Sequence, residues 1–363
     1  MTVIRTPYAL GLFAMILSLS GCSDAGPGTV PARLSFRATT GGTARQPLAA
    51  VEVEIQDANG HLVPSATNEV TIALDVNPRS LVLHASGTDA NDRIIEFVDH
   101  VRREVVTPFL SDNEGTGEIL GMVYDFTTGA VLSVDLDNAL SSIDCATGAL
   151  TNIGDMGVNL KGIAFETGSG RLIGASALTD SLVDVNPSTG GSTPLGRVAI
   201  SGDSIEGFTG LAVDPTNGTM YAVVRLRNNP NRKTRNLVTL DVSALAATDV
   251  ATLSETGVSG ITFLPDGTLL GVTGDGADNP ETLWSVNKTD GVMTSILPMG
   301  NGADGESIAA TPALLTGTLT VQAVNGVAVF RGLVINADAN GYTFIATAPG
   351  LTSGASAAFN IVP

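Results

Sequence analysis

Thr209-Gly210-Leu211-Ala212-Val213-Asp214-Pro215-Thr216-Asn217-Gly218-Thr219-Met220-Tyr221-Ala222-Val223 reads as two short strands joined by a glycine-containing turn. The unit recurs. Leu120-Gly121-Met122-Val123-Tyr124-Asp125, Lys161-Gly162-Ile163-Ala164-Phe165-Glu166 and Ser259-Gly260-Ile261-Thr262-Phe263-Leu264 align with its first strand, and the four glycines are 41, 48 and 50 residues apart. A second strand follows each turn in Leu172-Ile173-Gly174, Met220-Tyr221-Ala222-Val223 and Leu269-Leu270-Gly271-Val272. A third comes in Leu182-Val183-Asp184-Val185, Leu237-Val238-Thr239-Leu240-Asp241-Val242 and Leu283-Trp284-Ser285-Val286. Turns such as Pro187-Ser188-Thr189-Gly190 and Lys288-Thr289-Asp290-Gly291 then lead to an outer strand.

Four strands in each repeat of about 40 to 50 residues predict the blades of a β-propeller. Leu81-Val82-Leu83-His84 and Arg93-Ile94-Ile95-Glu96-Phe97-Val98-Asp99 align with strands two and three of a blade, yet no first strand precedes them. That strand is available at the far end of the repeats, in Glu306-Ser307-Ile308-Ala309-Ala310-Thr311. A blade built from both ends would pin the ring shut and bring the ends together. The expected count is four whole blades plus one composite, with a sixth left open. The pattern Gly-Leu-Ala-x-Asp-Pro-x-x-Gly-x-x-Tyr at 210–221 resembles the short-blade propellers of many exported bacterial proteins.

The flanks read differently. Val51-Glu52-Val53-Glu54-Ile55 alternates apolar and polar residues with period 2, the turn Asp57-Ala58-Asn59-Gly60 follows, and Glu69-Val70-Thr71-Ile72-Ala73-Leu74 keeps the alternation. The last fifty residues contain Gly317-Thr318-Leu319-Thr320-Val321, Gly326-Val327-Ala328-Val329-Phe330 and Tyr342-Thr343-Phe344-Ile345-Ala346-Thr347-Ala348. Each half has too few strands to close a sandwich alone. Together they resemble one bacterial Ig-like module of cell-surface proteins, its opening at 53–64 and its close after Gly317. The resemblance implies an all-β chain: an Ig-like β-sandwich made of 32–78 and 313–363, with a five-bladed or six-bladed β-propeller inserted at 79–312. Insertion is tolerated at exposed turns whose two ends lie close together. The nearest candidate for a helix is the short segment 99–106.

At the start, Arg5, an apolar run over 9–17 and Ser18-Leu19-Ser20-Gly21-Cys22 predict a secretory signal peptide at 1–21, the apolar part being too short to span a bilayer. Leu19-Ser20-Gly21-Cys22 resembles the bacterial lipobox, which implies a diacylglyceryl group on Cys22 and membrane attachment through that lipid. Ser23 in place of Asp favours the outer membrane in that family's sorting logic. Residues 22–31 read as a flexible tether. Lipidation leaves Cys145 as the second of two cysteines, so no disulfide is expected, and no basic neighbour in sequence activates its thiol.

The chain carries 18 basic and 36 acidic residues for a net charge of −18, one unit more negative once Arg5 leaves with the leader. So acidic a protein does not hold nucleic acid or anionic lipid by charge. Forty-two glycines and few aromatics suit many short strands and tight turns.

Candidate sites follow from the propeller reading, because ligands sit at the mouths of the central channel. Glu118, Lys161, Glu206, Ser259 and Glu306 precede the innermost strands. Convergence of Glu118, Glu206 and Glu306 would suit a calcium ion, which takes six to eight oxygen ligands; the alternative is solvated turn residues. The turn at 57–60 lacks the rest of a calcium loop and reads as a hairpin. His61, His84 and His100 form no recognisable constellation, and no nucleophile elbow, zinc helix or phosphate loop is present. Trp284 and Tyr221 read as core. The run Arg225-Leu226-Arg227-Asn228-Asn229-Pro230-Asn231-Arg232-Lys233-Thr234-Arg235 is a basic loop in an acidic molecule. The first functional reading is a non-enzymatic surface lipoprotein presenting its propeller to a protein or glycan ligand. Its alternative, implied by resemblance to exported propeller lactonases, is a calcium-dependent hydrolase acting in the channel.

Overall fold

Five turns of the repeats are built alike. In the computed structural model, which describes residues 30–86, 94–109, 118–274, 276–299 and 305–363, the side-chain oxygens of Asp125, Asp144, Asn186, Asp214 and Asn287 each accept the N–H two residues on, at 2.7–3.0 Å. Their carbonyls accept the N–H of a glycine four residues on, at 2.7–2.9 Å. Those glycines have φ of 72–77°, a left-handed conformation that a side chain would oppose. The repeated Asx-to-Gly spacing is therefore the grammar of the turns, and the strands between them follow from it.

Four sheets each take four successive antiparallel strands. The first runs through Ile119–Tyr124, Val131–Asp135, Ala139–Ile143 and Leu150–Asp155, and the second through Gly162–Phe165, Leu172–Ser176, Ser181–Val185 and Ser192–Arg197. The third holds Ile205–Val213, Met220–Leu226, Asn236–Asp241 and Ala246–Thr252, with Ala199–Ile200 added parallel to its outer edge. The fourth holds Val258–Phe263, Leu269–Thr273, Thr282–Val286 and Met293–Pro298.

A fifth sheet is assembled from both ends of this region. Gly305–Pro312 pairs with Ser80–Ser86 in the register Ile308 to His84, and Ile94–Asp99 and Glu104–Phe109 follow outward. The first strands of the five sheets contact one another in a closed cycle. Among the described residues the fold is thus a five-bladed β-propeller with one composite blade. Inside that blade His84 and Glu96 are buried together, Nδ1 3.0 Å from Oε1. The segment 99–106 is not helical. Asp99 Oδ1 accepts the N–H groups of Val101 and Arg102, and Arg103 has φ +58°, so the chain turns back into the next strand.

The repeated glycine has a packing reason. A Cβ on Gly121 would lie 2.9 Å from the Gly162 Cα, and one on Gly162 would lie 2.7 Å from the Leu211 N. A Cβ on Gly210 would lie 3.1 Å from the Ile261 N. Innermost strands of successive blades approach backbone to backbone, and at Gly121 and Gly162 only glycine admits the distance.

The flanking chain forms two larger sheets and a two-stranded one, Leu315–Thr316 against Val334–Ile335. Val51–Gln56 lies between Arg33–Phe36 and Val327–Phe330, and Glu69–Val76 lies between Ala339–Thr347 and Thr320–Gln322. Each of the larger sheets takes strands from both before and after the propeller, giving a sandwich whose core includes Val53, Ile55, Ile72, Phe330 and Phe344. That cluster continues into the propeller through Leu81, Leu83, Phe97 and Ile119. The two chain crossings lie side by side, since Asn77 Nδ2 donates to the Ala313 carbonyl at 2.6 Å and Ala313 N to the Arg79 carbonyl at 2.9 Å.

Replacing Gly162 by Val is expected to lower stability by about 1–3 kcal/mol, toward the upper end because the obstacle is backbone. Gly191→Ala is the control, its Cβ meeting only the Thr189 Oγ1 at 3.6 Å. Equal denaturation midpoints for the two variants would refute the close-approach account.

Candidate functional site

The channel is divided into two cavities. The C-terminal halves of all five innermost strands line the larger one, about 670 Å³, with Met122, Ile163, Phe165, Leu211, Ile261 and Phe263 among its walls. Its rim carries Phe126, 80 % exposed, in edge contact with Tyr124 at a centroid distance of 4.8 Å. Arg79, Asp125 and Glu166 add charged groups to the lining, and Asn77, Ser80 and Thr127 add polar ones. The Thr311 hydroxyl is buried in the wall and has no hydrogen-bond partner among the described residues, and the Thr262 hydroxyl accepts the Ala310 N–H at 2.9 Å. Lys288 braces the wall from behind, 5.3 Å from the Phe263 ring centroid, paired with buried Asp214 and donating to the Gly267 carbonyl at 3.1 Å. Burial alone would raise the Asp214 pKa, but bonds from Lys288 and Thr216 outweigh it and hold the carboxyl below its ordinary value. Both strand faces of this region are apolar, so the sequence reads these residues as core; the cavity is visible only once five such strands converge.

The smaller cavity, about 300 Å³, opens at the other mouth and is polar. It brings together three of the residues expected there, Lys161, Glu206 and Ser259, with Thr209, Arg225 and Arg235. Glu206 is paired with arginines. Its Oε2 is 2.8 Å from Arg225 Nη2 and its Oε1 3.6 Å from Arg227 Nε. Glu118 precedes its innermost strand as expected, half-buried, its carbonyl accepting the Leu136 N–H at 3.0 Å, but it does not line this cavity. Glu306 belongs to the innermost strand of the composite blade, and its side chain lies outside the described residues, as do Cys22 and the whole leader. Among the described residues no group of three or more His, Cys, Asp or Glu side chains is placed to hold a metal. A cation approaching Glu206 would meet two guanidinium groups already paired with it.

The remaining candidates are structural. Asp57 Oδ1 accepts the N–H groups of His61 and Asn59, at 2.9 and 2.8 Å, and these bonds, that from His61 foremost, hold its pKa below the ordinary carboxylate value. The turn at 57–60 thus uses its oxygens internally. Trp284 is buried, its indole N–H donating to the Thr273 hydroxyl at 3.2 Å, and Tyr221 packs on Phe263. Cys145 is buried, and burial raises its thiol pKa to about 11. In a Cys22→Ala chain, which leaves this one thiol to titrate, Cys145 should be inert to an aromatic disulfide reagent at pH 8 and react on unfolding. Rapid labelling of the native chain would contradict the burial.

No family model matches this chain, and no curated protein matches it. Among solved structures it is similar to a chain in the crystal structure of a nidogen/laminin complex, at 14% identity over 71% of this chain and 99% of that one, with a TM-score of 0.43.

Proposed function

We propose that this chain is a lipid-anchored protein of the bacterial envelope that carries a propeller on an Ig-like sandwich and binds a small, largely apolar molecule at the propeller axis without transforming it. The observation behind the ligand class is the apolar cavity. Its volume of about 670 Å³ falls in the range of small-molecule sites, roughly 300–1,000 Å³, and such sites combine apolar walls with a few placed polar groups. The unpartnered Thr311 hydroxyl is such a group: it can orient one acceptor or donor of a ligand whose body displaces water from Met122, Ile163, Phe165, Leu211 and Ile261. Removing that apolar area from water supplies the affinity, at roughly 25 cal/mol per Å² before the costs of association.

The Ig-like assignment rests on the motif resemblance at 53–64 and 317–348 together with the interleaving of the two flanks in one sandwich. The anchor rests on Leu19-Ser20-Gly21-Cys22.

An uncharged fluorescent probe such as N-phenyl-1-naphthylamine should bind the folded protein saturably, with about one site per chain. Val213, half-exposed on the cavity wall, offers a way to fill it. Val213→Trp should weaken binding at least tenfold while leaving the unfolding transition cooperative, and Val123→Trp serves if that variant does not fold. Equal affinity in the filled variants would exclude the cavity as the seat. Metabolic labelling with a palmitate analogue separately checks the anchor: label in the native chain and none in Cys22→Ala is expected, and equal labelling would rule the anchor out.

A further inference from the structure

We propose that the polar mouth of the propeller is a binding site for a small oxyanion, a phosphate or a compact carboxylate, gripped by Arg225, Arg235 and Lys161. It lies at the opposite end of the channel from the apolar cavity, shares no lining residue with it, and does not depend on what that cavity holds.

Charge is the first observation. In a protein of net charge −18, the charged side chains lining this cavity among the described residues are three cations and one carboxylate, a local reversal of sign. Glu206 offsets Arg225 and reaches toward Arg227, whose side chain is not part of the lining.

Arg235 is the second. Its Nη1 donates to the carbonyls of Arg232 and Thr234 at 2.7 and 3.1 Å, which aims the guanidinium but does not neutralise it. Its Nε is buried with no hydrogen-bond partner, and no carboxylate pairs with the group among the described residues. Burial, and then the nearby Arg225 charge, lower its pKa from the ordinary arginine value. A half-buried guanidinium with an unused donor, held beside a second guanidinium, is an arrangement that an incoming anion relieves. The planar donors of arginine match the paired oxygens of phosphate and carboxylate.

The third is shape. About 300 Å³ at the mouth of a channel admits a phosphate or a di- or tricarboxylate and excludes a folded partner. Both arginines belong to the basic run 225–235, which connects the second and third strands of the third blade: Arg225 ends one side and Arg235 begins the other, so the loop brings the two ends of its charge back to the axis.

Thermal unfolding of the full chain, titrated with inorganic phosphate and separately with citrate at constant ionic strength, tests the site, since a ligand that binds only the folded state raises the transition saturably. With at least one of the two anions the midpoint should rise and level off. The apparent Kd should weaken at least tenfold in Arg235→Gln and in Lys161→Gln and stay unchanged in Arg232→Gln, whose side chain does not line the cavity. Glu206→Gln should tighten binding several-fold, because it removes the competing carboxylate while keeping an acceptor for Arg225. Saturation by phosphate alone or citrate alone identifies which oxyanion fits. The proposal falls if neither anion gives a saturable rise, or if the rise is the same in all the variants. Should Arg235→Gln fail to fold, the comparison of Glu206→Gln with the native chain decides, and unchanged or weaker binding there overturns the site.

Discussion

The innermost strands of neighbouring blades approach one another backbone to backbone, and everything at the axis depends on it. Gly121 and Gly162 face the backbone of the next blade at distances that no side chain would allow, and at Gly210 a Cβ would be tight against it. These glycines also sit where the channel changes character. Lys161 and Ile163 flank Gly162, Thr209 and Leu211 flank Gly210, and in both pairs the first residue lines the polar cavity and the second the apolar one. The glycine row is therefore a waist: it draws the strands together there and lets them diverge on either side. One steric requirement, repeated around the ring, produces a closed propeller and two separate cavities of opposite chemistry.

The sandwich is joined to this ring by more than its two linkers. Arg79 pairs with Asp99, Arg102 forks onto Asp338 with contacts of 2.6 and 3.0 Å, and Arg45 reaches Glu104 at 2.9 Å. The two partly exposed pairs, Arg102–Asp338 and Arg45–Glu104, are worth about 1 kcal/mol or less each, whereas Arg79–Asp99 is largely buried. The apolar cluster that runs from Phe344 and Ile72 into Leu83 and Phe97 has the larger share, at about 1.5–3 kcal/mol for each large side chain fully withdrawn from water. The ion pairs orient the contact and the shared core holds it. All three involve the composite blade or the linker entering it, so the part of the ring that depends on both chain ends is also the part braced by the sandwich.

How far the sequence discloses this depends on whether a feature is local. The blades are legible because each is written in consecutive residues: an Asx-to-Gly turn, two apolar strands, a second turn. The composite blade is legible because Leu81-Val82-Leu83 lacks a first strand and 306–311 lacks its followers, and Gly305–Pro312 does pair with Ser80–Ser86. The site is less legible, because its chemistry is set across strands. Glu206 reads as one of three carboxylates until the antiparallel pairing of Ile205–Val213 with Met220–Leu226 sets Arg225 beside it. The apolar cavity is hidden for another reason. Strands buried on both faces carry the same residues whether they face a neighbour or a void, so Ile163 and Leu211 look like core from the sequence. The segment 99–106 misleads because its polar residues serve a turn centred on Asp99 and not one face of a helix.

The interleaved sandwich also determines what happens when the chain is cut. Both ends of the propeller region return to strands that pair in the same two sheets, Val51–Gln56 against Val327–Phe330 and Glu69–Val76 against Ala339–Thr347. A single protease nick in any blade leaves each fragment held by the strand-paired sandwich as well as by the ring, so neither is shed. A domain threaded in this way stays on its support after one break and is released only by two.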